Sequence, residues 1–127
     1  MKKSEDGFFV GRLKSFRFAL RGAFLLLTTE HAVISQAFLA VVCIVAGLLT
    51  GITKTEWMFQ FLAIGLLLST EGMNTAVEKL CDFIHPDYHN KIGFVKDIAA
   101  GAVTFAALTA LSIVLFIYVP YLYEKVF

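Results

Sequence analysis

Residues 57–82 read WMFQFLAIGLLLSTEGMNTAVEKLCD. An apolar run starts at Trp57 and passes, with no proline or glycine-rich break, into a segment carrying Glu71, Asn74, Glu78 and Asp82. On a helix Glu71, Asn74, Thr75, Glu78 and Asp82 stand at i, i+3, i+4, i+7 and i+11, which is one face. A polar stripe at the end of an apolar helix cannot look at lipid. It packs on a protein neighbour or borders a wet cleft, because one ionised group at membrane depth costs several kcal/mol unless paired, protonated or hydrated.

Membrane is the medium that composition demands. Of 127 residues, 58% are hydrophobic and 17% charged, and the mean hydropathy is +0.76. A soluble domain of this size has no core large enough to hide that much apolar surface. The net charge of +1 provides no basic field of the kind that draws nucleic acid.

Three apolar stretches are each long enough for a hydrocarbon core that needs about 20 helical residues. They cover about 30–52, 55–83 and 94–121. Short connections join them, and His85-Pro86 stops the second, since the residue before proline disfavours helix. With no repeat, low-complexity segment or linker, residues 1–127 read as one domain. Ahead of the first span, over about 8–28, Phe9, Leu13, Phe16, Leu20 and Phe24 recur at helical spacing beside Lys14, Arg17 and Arg21. That pattern predicts an amphipathic helix lying in the membrane interface, its basic side chains reaching towards lipid phosphates. A cleavable signal peptide fits less well, because the basic residues interrupt the apolar run. The expected fold is an all-α integral membrane protein: a surface helix and three transmembrane helices.

Six of the eleven basic residues (Lys2, Lys3, Arg12, Lys14, Arg17, Arg21) precede the first span, and Lys79, Lys91 and Lys96 border the second connection. The positive-inside rule then places the N-terminus and residues 84–93 in the cytoplasm. Trp57, Tyr118, Tyr121 and Tyr123 are expected in an outer aromatic belt. At about 1.5 Å per residue, Glu71 lies roughly 21 Å and Glu78 roughly 31 Å inward from Trp57, and Asp97 about 31 Å from Tyr118. Glu30, Glu78, Lys96 and Asp97 are thereby expected at one cytoplasmic level, with Glu71 below it. The small residues Ala99, Ala100, Gly101 and Ala102 make the third span the expected neighbour of the polar stripe.

Carboxylates, a lysine and an asparagine at that level suit a hard cation such as magnesium, which bridges a few carboxylates and substrate phosphates. A carboxylate just below is placed to take a proton from an alcohol. Those are the parts of phosphoryl transfer, and the alcohol arriving from the membrane side is a lipid headgroup. No Walker A sequence, GxGxxG or protein-kinase signature is present, so the nucleotide site would be of another type. The competing reading is a small oligomeric transporter or channel subunit with Glu71 as its ionisable residue. The apolar outer halves of the spans weigh against it. Cys43 and Cys81 lie at different depths and are expected to form no disulfide. His31 and His85 read as interfacial and helix-stop residues, and Gly47, Gly51 and Gly65 as packing or helix-end residues.

The motifs EGMNTAVEKLCD, PDYH and VKDIAAGAV, with TTEHAVISQ before them, resemble the prokaryotic diacylglycerol kinase and undecaprenol kinase family in order and spacing, over roughly residues 11–118. The resemblance implies a homotrimer in the bacterial inner membrane, with ATP as co-substrate, Mg2+ as cofactor and sites between protomers. It implies Glu71 as general base with Asn74 in support, and Glu30 and Glu78 as magnesium ligands. Lys96 and Asp97 would contact the nucleotide, and Asp87, Tyr88 and His89 would lie along its adenosine and phosphates. Gly11 falls where the family has a nucleotide-contacting arginine, so Arg12 beside it is the candidate. Ala100, where diacylglycerol-preferring members carry serine, is similar to the undecaprenol kinase branch.

Overall fold

A computed structural model describes residues 7–127 as four helices. Lys2 and Lys3, counted above among the N-terminal basic residues, lie outside the described residues. Helix α1 spans Phe8–Thr29, α2 His31–Thr50, α3 Lys54–Ile84 and α4 Asn90–Val126. The first three lie within three residues of their expected limits. The last begins four residues before the expected Phe94 and continues past Tyr121, running through Pro120.

Each junction has a local cause. Glu30 alone separates α1 from α2, its backbone extended at φ −101°, ψ 108°. Gly51 ends α2 in the left-handed region at φ 67°, where a Cβ would be strained. Thr53 then opens α3 with a capping box: its side chain accepts from the Glu56 amide, and the Glu56 carboxylate accepts from the Thr53 amide at 2.8 Å. His85, extended ahead of Pro86, closes α3. His89 opens α4, its Nδ1 accepting from the Lys91 amide at 3.1 Å.

The burial pattern is inverted relative to a soluble protein. The buried apolar side chains among the described residues are Val33, Ile52, Ala63, Cys81, Ala106 and Ile117, while Gln60, Glu71, Asn74 and Thr75 are buried beside them. Large apolar groups face outward instead, among them Leu49, Phe105 and Phe116. Water would penalise that surface at about 25 cal/mol per Å², so the medium around the helices is apolar. Helices α2 and α4 are long and apolar enough to cross a membrane. Helix α3, with 31 residues, begins apolar and ends polar.

α4 packs most extensively on α3, and α2 packs on α3 and on α1. Gly47 admits the Trp57 indole: a Cβ there would sit 2.8 Å from its ring. The expected outer belt is only partly a belt. The Tyr118 hydroxyl lies 2.6 Å from Gln60 Oε1 and 2.9 Å from the Cys43 carbonyl, which also accepts from Gln60 Nε2 at 3.1 Å. Tyr121 donates to Glu56 at 2.8 Å. The outer halves are therefore not purely apolar, a correction with a simple reason: these polar groups satisfy one another across three helices. A second correction concerns Ala100 and Ala102, which are exposed, and Gly101, whose missing Cβ meets open space. That small patch does not seat α4 against the polar stripe of its own chain.

Tyr118→Phe leaves Gln60 Oε1 buried without its donor. It is expected to lower stability by about 1–3 kcal/mol, measured by reversible unfolding in detergent micelles. An unchanged midpoint would show that the network contributes nothing.

Candidate active site

The polar stripe of α3 meets α2 at Glu71 and α4 at Asp82, where Lys96 engages it. Gln36 Nε2 donates to Glu71 Oε2 at 2.9 Å, and Glu71 is 7% exposed. The register explains the meeting. Gln36 lies six residues into α2 from Glu30, roughly 9 Å, and Glu71 lies seven residues before Glu78, roughly 10 Å. The two antiparallel helices thus bring both to one depth. One turn on, Asn74 Nδ2 donates to Glu78 Oε1 at 3.2 Å, while Asn74 Oδ1 is buried with no hydrogen-bond partner.

Next to this stripe a cleft of about 610 Å³ opens between the end of α1 and α3, lined by Leu25, Leu26, Thr29, Glu30, Gly72, Thr75 and Lys79 among others. Gly72 lets α1 approach, since a Cβ there would lie 3.0 Å from Leu26 Cδ1. Lys79 Nζ sits 3.0 Å from Glu30 Oε1 at the rim. The ammonium, with Thr29 as a further donor, holds the Glu30 carboxyl below the usual carboxylate range. Lys96 on α4 is engaged by Asp82 at the end of α3.

The expected residues therefore fall into two sets. Glu71, Asn74, Glu78 and Glu30 gather along α3 and the α1–α2 joint. Lys96 reaches the end of α3 through Asp82, the last residue of the stripe. Asp97, Asp87 and Tyr88 are exposed around the start of α4. His89 caps α4, and its ring contacts that of His85 with centroids 5.1 Å apart. Arg12 lies over the Phe8 ring at 5.4 Å. Seventeen helical residues separate Arg12 from Thr29, roughly 25 Å, so one chain does not bring it to Glu30.

No group of three or more His, Cys, Asp or Glu side chains that could hold a metal comes together among the described residues. The oxygen donors at hand are the Glu30 and Glu78 carboxylates and the orphaned Asn74 Oδ1. Oxygen-only donors in that small number suit magnesium, which keeps waters and phosphate oxygens as its other ligands. Sequence reasoning missed Gln36, Gly72, Lys79 and Gln60. The depth match of Gln36 with Glu71 was available as a signal, being a lone amide inside an apolar run.

The family model for prokaryotic diacylglycerol kinase matches residues 17–118. The chain belongs to the prokaryotic diacylglycerol kinase family. As a family member it is a lipid kinase located in a membrane. Undecaprenol kinase of Bacillus subtilis (strain 168) is 38% identical over 107 residues, covering 84% of this chain and 87% of that protein. Diacylglycerol kinase of Haemophilus influenzae is 30% identical over 102 residues, covering 80% and 86%. The kinase's Glu30, Gln36, Glu71, Asn74 and Glu78 all lie inside the matched segment, whereas Arg12 precedes it.

The Lys79–Glu30 pair is exposed on the lysine side, and such pairs contribute about 0–1 kcal/mol. Lys79→Met is expected to leave the unfolding free energy within about 1 kcal/mol of the parent. A larger loss would mean that this pair holds α1 in place.

Proposed function

We propose that this kinase transfers the γ-phosphoryl group of ATP to the hydroxyl of a membrane lipid at the cytoplasmic face of a bacterial inner membrane, with undecaprenol slightly preferred over diacylglycerol. The observation that carries the reading is Glu71: a carboxylate held at membrane depth by an amide, one residue from the Gly72 wall of an open cleft. Such a group serves as a base towards an alcohol that arrives from the lipid side. The higher identity to an undecaprenol kinase and Ala100 in the third-helix motif support the stated preference.

In this reading Glu71 accepts the hydroxyl proton as the lipid oxygen attacks the γ-phosphorus. A new O–P bond forms, the bond from the γ-phosphorus to the bridging oxygen breaks, and ADP leaves with that electron pair. Asn74 holds Glu78 in place across one helical turn. Glu30 and Glu78 are the residues that would hold magnesium, which when bound neutralises phosphate charge and aligns the transferring group. Lys96 and Asp97, with Asp87, Tyr88 and His89, are assigned to the nucleotide, and Arg12 to its distal contacts.

Those nucleotide residues do not converge on Glu71 within one chain, which supports a site completed between protomers of a homotrimer. The exposed apolar faces and the distribution of basic residues support a three-span arrangement with α1 on the cytoplasmic surface.

Purified kinase with labelled ATP and magnesium is expected to phosphorylate undecaprenol and, more slowly, diacylglycerol in mixed micelles. Glu71→Gln is expected to cut turnover about a hundredfold or more while nucleotide affinity stays nearly unchanged. Glu30→Gln and Glu78→Gln are instead expected to weaken magnesium-nucleotide binding, measured by calorimetry. Nucleotide affinity falling most in Glu71→Gln would overturn this division of roles, and absence of lipid phosphorylation would overturn the function itself.

A further inference from the structure

Both carboxylates assigned to magnesium are held in the same way. Asn74 Nδ2 donates to Glu78 Oε1 at 3.2 Å, and Lys79 Nζ lies 3.0 Å from Glu30 Oε1. The other oxygen of each, Oε2, has no hydrogen-bond partner among the described residues. Thr29 adds little to the hold on Glu30, because its one hydroxyl proton is divided between Glu30 Oε1 at 3.1 Å and the Leu25 carbonyl at 2.7 Å. Lys79 is therefore the donor that fixes Glu30.

Glu30 needs such a tether because it belongs to no helix. It is the single extended residue between α1 and α2, so no helix face sets the direction of its side chain. Lys79 sets it from α3. That lysine follows Glu78 directly in the chain, so two successive residues of α3 present one carboxylate and hold the other. Outer partners of this kind orient metal-binding carboxylates, and losing one costs about 10–100-fold in metal affinity or activity. The two tethers differ in charge. Asn74 is neutral, whereas Lys79 brings a positive charge to the rim of the cleft, where it and Glu30 are the charged residues of the lining. Two carboxylates and one ammonium leave a net single negative charge, a weak attraction for a lone divalent cation. Nucleotide phosphates supply the missing charge, and magnesium is suited to carboxylate and phosphate oxygens together.

We infer that Lys79 is a positioning residue for the metal: it engages Glu30 Oε1 and leaves Oε2 as the liganding oxygen, and its charge keeps the two carboxylates from taking a cation ahead of the nucleotide. The inference rests on the reading of Glu30 and Glu78 as the magnesium ligands. Stability does not account for the pair, since 67% of the lysine side chain is accessible and exposed pairs add little to folding.

The test measures Mn2+ binding by electron paramagnetic resonance to the full-length kinase in detergent micelles, with and without a non-hydrolysable ATP analogue. Mn2+ stands in for magnesium because it shares the preference for carboxylate and water oxygens. Lys79→Met is expected to tighten Mn2+ binding without nucleotide about tenfold, the effect of removing one charge beside a divalent ion. The same variant is expected to lower kcat about tenfold through the lost orientation of Glu30. Lys79→Arg, which keeps the charge and the donors, is expected to return both quantities towards the parent values. A merely structural role would instead weaken Mn2+ binding and turnover together. Mn2+ affinity that is unchanged or weaker in Lys79→Met, or no recovery in Lys79→Arg, overturns the inference. Glu30→Gln that binds Mn2+ as the parent does in the presence of the analogue would overturn Glu30 as a ligand, a separate failure that removes the role of Lys79 with it.

Discussion

The hydrogen bond from Gln36 to Glu71 holds the arrangement together. A carboxylate cannot be left in an apolar medium without a partner, and α2 is the element that carries one at the right depth. Once α3 turns Glu71 towards Gln36, helical geometry sends Asn74, Thr75 and Glu78 along the same side and brings Gly72 beneath Leu26. The cleft beside α1 is a consequence of that orientation. It lies on the flank of a helix whose buried face is polar.

Specificity of packing here comes from polar groups because apolar ones have little preference between a neighbouring helix and lipid. The Gln60, Tyr118 and Cys43 network acts at one end of the bundle, and Lys96 with Asp82 acts at the other. Between them the small residues of all three helices leave space.

Much of this was legible in the sequence. Hydropathy and the His85-Pro86 stop located the four helices, and the spacing from Glu71 to Asp82 identified the polar face. The partner of Glu71 on that face was not legible from small residues: Gly101 has open space where a close contact was expected. A small residue only permits approach, whereas an amide in an apolar run must find a polar group, so Gln36 was the stronger signal. The tyrosines near the end of α4 were misjudged for a related reason. A tyrosine near the membrane surface looks the same in sequence whether its hydroxyl meets water or, as with Tyr118, a buried glutamine. Lys79 was read only as a topology residue, because its pairing with Glu30 depends on where the α1–α2 joint folds back.

That joint is a single residue. Glu30 is at once the last stop of α1, the first cap of α2 and a carboxylate on the rim of the cleft. Its side chain has no intervening segment to absorb a change in what it binds. The carboxylate that meets Lys79 is therefore also the elbow from which α1 leaves the bundle, so the local charge at the rim and the direction of an entire helix are fixed at one residue.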